Sequence, residues 1–258
     1  SAAAVSANYS TLAVGQEGLA SIRRPATWNC IAGMRPSAGL VSRSGVYGCW
    51  PELFGSLGPM ARTVKDLALL LDAMAGYDAE DPITARGVGN TPDTFTKFLN
   101  SNGLKGARFG VLRESIGLNS EPESEDYRKI QEVFDKSVAE LKAGGAEIVD
   151  PIVIPKIKEL LAKRSGAPGD TDASFKNYYG RSANPPFKTP QDAIASPDFA
   201  MVVKRSQERF KRIPDASKHY ESLRAQDELM TNFLKVMADH KLDAIVYKSV
   251  EHQPTLIK

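Results

Sequence analysis

The strongest constraint on how this chain can fold lies between Arg108 and Val149. Arg108 to Leu112 (RFGVL) reads as a strand. A loop follows, then a long segment, Glu123 to Ala143, in which Ile130, Val133, Phe134, Val138 and Leu141 fall on one helical face. Gly144-Gly145 closes that helix, and Ala146 to Val149 reads as the next strand. Strand, helix and strand at this spacing require a right-handed crossover between parallel strands. The fold class is therefore α/β, a mixed sheet covered by helices. A nucleotide-binding unit would share the outline. It is rejected here, because Gly110-Val111-Leu112-Arg113-Glu114 supplies no Gly-x-Gly-x-x-Gly at the end of the first strand.

Composition bounds the rest. A chain of 258 residues, 25% charged and 42% hydrophobic, can bury a sizeable core as one large domain or two small ones. Its 33 basic and 31 acidic residues nearly cancel, which gives no electrostatic case for nucleic acid or an acidic membrane surface. No apolar run approaches the length needed to span a bilayer. Cys30 and Cys49 are too few for a disulfide framework. Two cysteines and the scattered His219, His240 and His252 show no zinc spacing. Asp170 and Asp172 read as solvated carboxylates rather than metal ligands. No cofactor is implied. Localisation stays open, with the cytoplasm favoured.

The chemistry gathers between Leu12 and Pro36. Leu12-Ala13-Val14 reads as a buried strand that stops at Gly15. Gly18 and Ala20 precede Ser21, and Pro25 suits the first turn of a helix. Strand, tight loop, serine and helix start expose a hydroxyl and aim backbone N–H groups that can stabilise an oxyanion. On these residues alone Ser21 is better explained as a helix N-cap. No Ser-His-Asp arrangement is suggested, since nothing orients a histidine toward a carboxylate.

Several blocks stand in a telling order: Ser1-Ala2-Ala3-Ala4-Val5, Gly15 to Ser21, Ser-Ile-Arg-Arg-Pro-Ala (21–26), Gly-Met-Arg-Pro (33–36), Val41-Ser42-Arg43 and Gly58 to Asp66. In this the chain resembles the amidase signature family, densely over residues 1–78 and weakly afterwards. The resemblance implies a single amidase-signature domain over 1–258, with a largely parallel mixed sheet that is incomplete in this chain. It makes Ser21 the nucleophile, with oxyanion donors from the backbone of Gly18, Leu19 and Ala20. It places Gly15, Gln16, Glu17, Tyr47 and Trp50 at the substrate. The family's bridging serine, held in a cis peptide, and its neutral lysine base are expected upstream of Ser1. Ser1 itself matches the last serine of the preceding segment, not the relay. The chain thus looks like an internal portion of a longer enzyme, an impression that Leu242 to Val250 strengthens by resembling a late strand with successors.

One departure stands out. Where most members have Asp-Thr-Gly-Gly-Ser, this chain has Glu17-Gly18-Leu19-Ala20-Ser21. Leucine lacks glycine's conformational freedom, so the loop either keeps its path and presents an apolar side chain to the acyl pocket, or changes path. Arg23 matches the family's Ile-Arg and reads locally as a surface or helix-start arginine. Three functions are compatible: a serine amidase acting on a small-molecule carboxamide, the glutamine-hydrolysing component of a tRNA amidotransferase, and a truncated or inactive binding module. A homodimer is left open.

The remaining expectations are structural. Ser1 to Asn8 should be helical, Trp28 a core aromatic, and Cys30 to Met34 a short strand. Residues 37–57 form a long irregular segment whose Tyr47, Trp50 and Phe54 either wall a pocket or pin the loop. Thr63 should cap a helix carrying Leu67, Leu70, Leu71 and Met74. Pro155 to Arg164 is a short helix, 165–197 the most loop-like stretch, Phe199 to Arg212 and Lys218 to His240 helices, and Leu242 to Tyr247 the last strand.

Overall fold

The computed structural model describes residues 1–46, 55–114, 116, 121–168 and 170–252. In chain order its elements are α1 (Ala2–Ser6), β1 (Leu12–Glu17), α2 (Arg23–Trp28), β2 (Ala32–Gly33), β3 (Ser56–Ala61), α3 (Val64–Met74), β4 (Arg108–Leu112), α4 (Glu125–Ala143), β5 (Glu147–Ile152), α5 (Ile157–Ala162), α6 (Asp170–Tyr179), α7 (Pro190–Ala195), α8 (Lys204–Lys211), α9 (Ala216–His240) and β6 (Ala244–Val246). Short 3-10 helices cover Pro82–Gly87, Thr96–Phe98 and Pro197–Met201. The fold class is α/β. Its strands form two three-stranded sheets, one antiparallel in the order β1-β3-β2 and one parallel in the order β5-β4-β6.

The chain divides into two compact units, and the boundary falls inside α9 after Tyr220. The unit of Ser1–Thr96 and Ser165–Tyr220 holds the antiparallel sheet. Its central strand, β3, runs from Ser56 to Ala61 with five of six residues buried, and pairs with β1 from Leu12↔Ala61 to Glu17↔Ser56. Gly58 has no alternative there: a Cβ would sit 2.0 Å from the carbonyl oxygen of Met34. The front of the Gly58 to Asp66 block is strand. The helix, α3, begins only after Thr63, whose hydroxyl accepts the N–H of Asp66 at 3.0 Å. A small core of Ala2, Ile22 and Met60 packs α1, the start of α2 and β3 together.

The other unit, Lys97–Arg164 and Glu221–Lys258, contains the parallel sheet. β4 spans the predicted residues. α4 is capped by Ser124, whose hydroxyl accepts from the Tyr127 N–H at 3.1 Å, and it buries Phe134 and Val138 against Val111. Leu112, Ile152, Ile154, Ile157, Val236 and Leu242 form the core on the other face.

Four local expectations change. β1 continues past Gly15 to Glu17, because ladder pairing with β3 outweighs the glycine's flexibility. The expected strand at Cys30–Met34 shrinks to Ala32–Gly33, since Cys30 takes a left-handed φ of 53°. The loop-like 165–197 holds two helices. Pro190 occupies the first turn of α7 instead of breaking it, behind a reciprocal capping box of Thr189 and Asp192, while α6 buries Ser174 and Phe175. The single helix expected at 199–212 is interrupted at Val202, which is extended (ψ 136°).

Candidate active site

The stretch around Ser21 joins β1 to α2 through a four-residue bend, 18–21. Ile22 anchors it from below as a fully buried side chain, and Gly15 leaves room for that anchor: a Cβ on Gly15 would meet Ile22 Cγ1 and Met60 Cε at 2.9 Å each. Ser21 is exposed. Its side chain does not cap α2, because Ile22 is the N-cap residue and no side-chain hydrogen bond closes that end. Among the described residues the Ser21 hydroxyl has no hydrogen-bond partner, and no imidazole is held against it.

Beneath the bend lies Glu17, whose side chain is wholly buried at the end of β1. One carboxylate oxygen accepts the N–H groups of Ile22 at 2.9 Å and Arg23 at 3.0 Å. The other accepts Arg23 Nε at 2.7 Å and has Arg35 Nε 3.8 Å away. The Arg23 guanidinium then reaches back through its second nitrogen to the carbonyl of Leu19, at 2.5 Å. The Ala20 carbonyl accepts the Arg24 N–H at 3.0 Å, a turn bond just ahead of the first helical bond of α2, from the Ala26 N–H to the Ile22 carbonyl at 3.0 Å. A carboxylate and a guanidinium thus take up the inward-facing polar groups of the bend, as charge-assisted bonds. The N–H groups of Leu19, Ala20 and Ser21 donate to no protein group among the described residues.

Leucine at position 19 costs the backbone nothing. Neither Gly18 nor any residue from Leu19 to Ser21 adopts a positive φ. The Leu19 side chain is instead half-exposed, as is Val14 on β1.

Of the other residues read from sequence, Gln16 is exposed and Glu17 points inward rather than to the surface. Tyr47 and Trp50 lie outside the described residues, as does Phe54. The turn that leads toward them is held firmly. Arg43 donates to Asp81 through its backbone N–H (2.8 Å), Nε (2.9 Å) and a terminal nitrogen (2.8 Å), both side chains being buried. Ser42 and Ser44 donate to one oxygen of Asp78, at 2.5 and 2.6 Å. Those two hydroxyls hold the Asp78 carboxyl down at about 2, helped by the Glu80 N–H. Trp28 is half-buried, with the Arg24 guanidinium 5.6 Å from its ring centre. Among the described residues no group of three or more His, Cys, Asp or Glu is gathered to hold a metal ion, and no helix is long and apolar enough to cross a membrane.

Arg23 is the residue whose part in the site the sequence did not reveal. One signal was present: between Leu12 and Pro36, Glu17 is the only acid among Arg23, Arg24 and Arg35. A lone acid at a strand end among three arginines is a candidate for burial with one of them.

The model of the family described as Amidase matches residues 1–258, the whole chain. The chain belongs to the amidase family. A probable amidase of Arabidopsis thaliana is 32% identical over 261 residues, covering 95% of this chain and 48% of the relative. A glutamyl-tRNA(Gln) amidotransferase subunit of Microcystis aeruginosa is 36% identical over 182 residues, covering 70% of this chain and 35% of its own length. Among solved structures, an amidase family protein from Bacillus anthracis superposes with a TM-score of 0.74 at 29% identity, covering 96% of this chain and 48% of its own. The native peptide amidase from Stenotrophomonas maltophilia gives 0.70 at 27%, covering 96% and 51%. This amidase-family chain therefore spans about half the length, or less, of the relatives it matches.

Proposed function

We propose that the protein carrying this chain hydrolyses a small-molecule carboxamide through an acyl-enzyme on Ser21. The observation that carries the reading is the pairing of an exposed, unengaged hydroxyl with a run of adjacent backbone N–H groups that spend no hydrogen bond inside the described protein. An amide is a weak electrophile with a poor leaving group. A covalent route splits its hydrolysis into two easier steps, provided the developing oxyanion is stabilised. In the first step Ser21 Oγ bonds to the carbonyl carbon, the hydroxyl proton passes to a base, and the charge gathers on the oxygen near the 19–21 amides. The C–N bond then breaks as the nitrogen takes up a proton, and ammonia or an amine leaves. Water repeats the sequence on the ester and frees the carboxylate.

Ser21 needs a base, and no described group supplies one. In the family pattern a lysine acts through a second serine, both in segments preceding the position of Ser1. Gly15 supports this reading as the packing point that seats the loop, and Gln16 as an exposed group of β1 beside it. Tyr47 and Trp50 remain proposed pocket walls. The likeness to an amidotransferase component, over 70% of the chain, supports glutamine as one amide to test.

The test uses the full natural chain and a fluorophosphonate probe. Peptide mapping should find the phosphonyl group on Ser21, and Ser21→Ala should lose both labelling and turnover of a panel of primary and aryl amides that includes glutamine. Near-normal turnover by Ser21→Ala would falsify the assignment. A Ser21 that neither labels nor turns over any amide points to the inactive module.

A further inference from the structure

We infer that Arg23, held by the buried Glu17, is the positioning residue of the oxyanion site and sets the direction of the Ala20 N–H. This rests on the reading of Ser21 as the acyl-accepting serine.

In a trans peptide the C=O and the following N–H point to opposite sides. Among the described residues the only cis bond is Asp150-Pro151, so the Leu19–Ala20 peptide is trans. Its carbonyl is drawn inward by the Arg23 guanidinium at 2.5 Å, which turns the Ala20 N–H outward. The next peptide behaves likewise. Its Ala20 carbonyl is bound by the Arg24 N–H at 3.0 Å, and this directs the Ser21 N–H to the opposite side.

The two constraints differ in kind. The second is a backbone–backbone bond of the turn and needs no particular side chain. The first depends on one side chain that must occupy two acceptors at once, Glu17 at 2.7 Å and Leu19. Glu17 is free of solvent while Arg23 retains a third of its side-chain exposure, so the carboxylate is the fixed point and the guanidinium the arm. The planar fork meets the two acceptors through two separate nitrogens, Nε and a terminal one, where an ammonium offers a single nitrogen on a flexible stem. The loop of this chain lacks the consecutive glycines usual before the serine, and its peptide orientation is imposed from below by this arm.

The experiment compares Arg23→Gln and Arg23→Lys with Ser21→Ala in the full natural chain, on the amide that shows the highest turnover. It reads kcat, KM, inhibition by a phenylboronic acid (a mimic of the tetrahedral intermediate), and melting temperature. Removing a donor from an oxyanion site costs about 100- to 1,000-fold, so misdirecting one should cost kcat roughly 10- to 100-fold. Boronate affinity should fall by a similar factor, with KM within about threefold. Arg23→Lys keeps the charge opposite Glu17 but loses the Leu19 contact, and should show the same pattern with an unchanged melting temperature. If Arg23→Gln fails to fold, Arg23→Lys alone decides. A kcat within threefold of the unsubstituted enzyme, or a loss confined to KM, overturns the inference while inactive Ser21→Ala leaves the nucleophile standing. Full activity of Ser21→Ala removes the underlying reading instead.

Discussion

Glu17 and Asp81 are both fully withdrawn from solvent, both lie in the same compact unit, and each faces an arginine, yet they are used in opposite ways. Asp81 forms a closed pair. Arg43 is itself only 3% exposed, and it gives the carboxylate a two-pronged side-chain contact plus its own backbone N–H. Glu17 forms an open pair. Arg23 keeps 33% of its side-chain surface, and Glu17 takes the backbone N–H groups of Ile22 and Arg23, just after the bend that carries Ser21. The closed pair staples two distant loops. The open pair shapes an exposed one. A buried charge is costly unless its lone pairs are satisfied, so each carboxylate compels its neighbours into a single arrangement; what differs is which neighbours those are.

The comparison can be broken at several points, beginning with the largest effect. Ser21→Ala should lower amide turnover on the order of 10⁴- to 10⁶-fold and leave the melting curve almost unmoved, since the hydroxyl is exposed and unbonded. Asp81→Ala removes the buried carboxylate that faces the Arg43 guanidinium and should cost about 3–5 kcal/mol in denaturant unfolding. Fluorophosphonate labelling of Ser21 in the folded fraction should keep its rate; a tenfold fall would show that the staple also shapes the site. Glu17→Gln should do both, slowing labelling roughly 10- to 100-fold and lowering stability by about 1–3 kcal/mol. An unchanged labelling rate there would reduce Glu17 to a second staple.

Smaller effects sharpen the picture. Leu19→Gly removes a half-exposed apolar side chain beside the serine without relieving any strain. The preference for long apolar acyl groups over acetyl should fall about fivefold, equivalent to roughly 1 kcal/mol of apolar contact; an unchanged ratio would place Leu19 outside the acyl site. The smallest concerns Asp78. Its carboxyl titrates near 2 in the folded protein and higher when unfolded, so its contribution is complete above about pH 4 and is lost as pH falls toward 2. Replacing Ser42 and Ser44 by Ala should return the Asp78 titration, followed by carboxyl NMR, toward the ordinary carboxylate range.

The regular part of the molecule was legible in advance. β4 and α4 declare themselves through a short strand-like stretch and a helical stripe, because burial on one face leaves a period in the sequence. The helix cap at Thr63 was legible too, being a short-range bond, whereas Ser124, expected inside a helix starting at Glu123, caps one that starts at Glu125. The 165–197 region was misread because its prolines look like breaks. Pro190 sits where a missing N–H is harmless, and only the Thr189–Asp192 box distinguishes that position from a loop.

For the site the division is sharper. Sequence alone determined that Ser21 follows a strand and precedes a helix, and block order placed it in its family. It could not decide between cap and exposed hydroxyl, because both use the same residue at the same spot. Tertiary structure settled that by making Ile22 the N-cap residue and committing the neighbouring amides to Glu17. It also gave Arg23 its place, through a bridge whose two acceptors stand six and four residues back on an irregular bend. Periodicity records which face of an element is buried. It carries no record of where a long side chain turns once a buried charge must be satisfied.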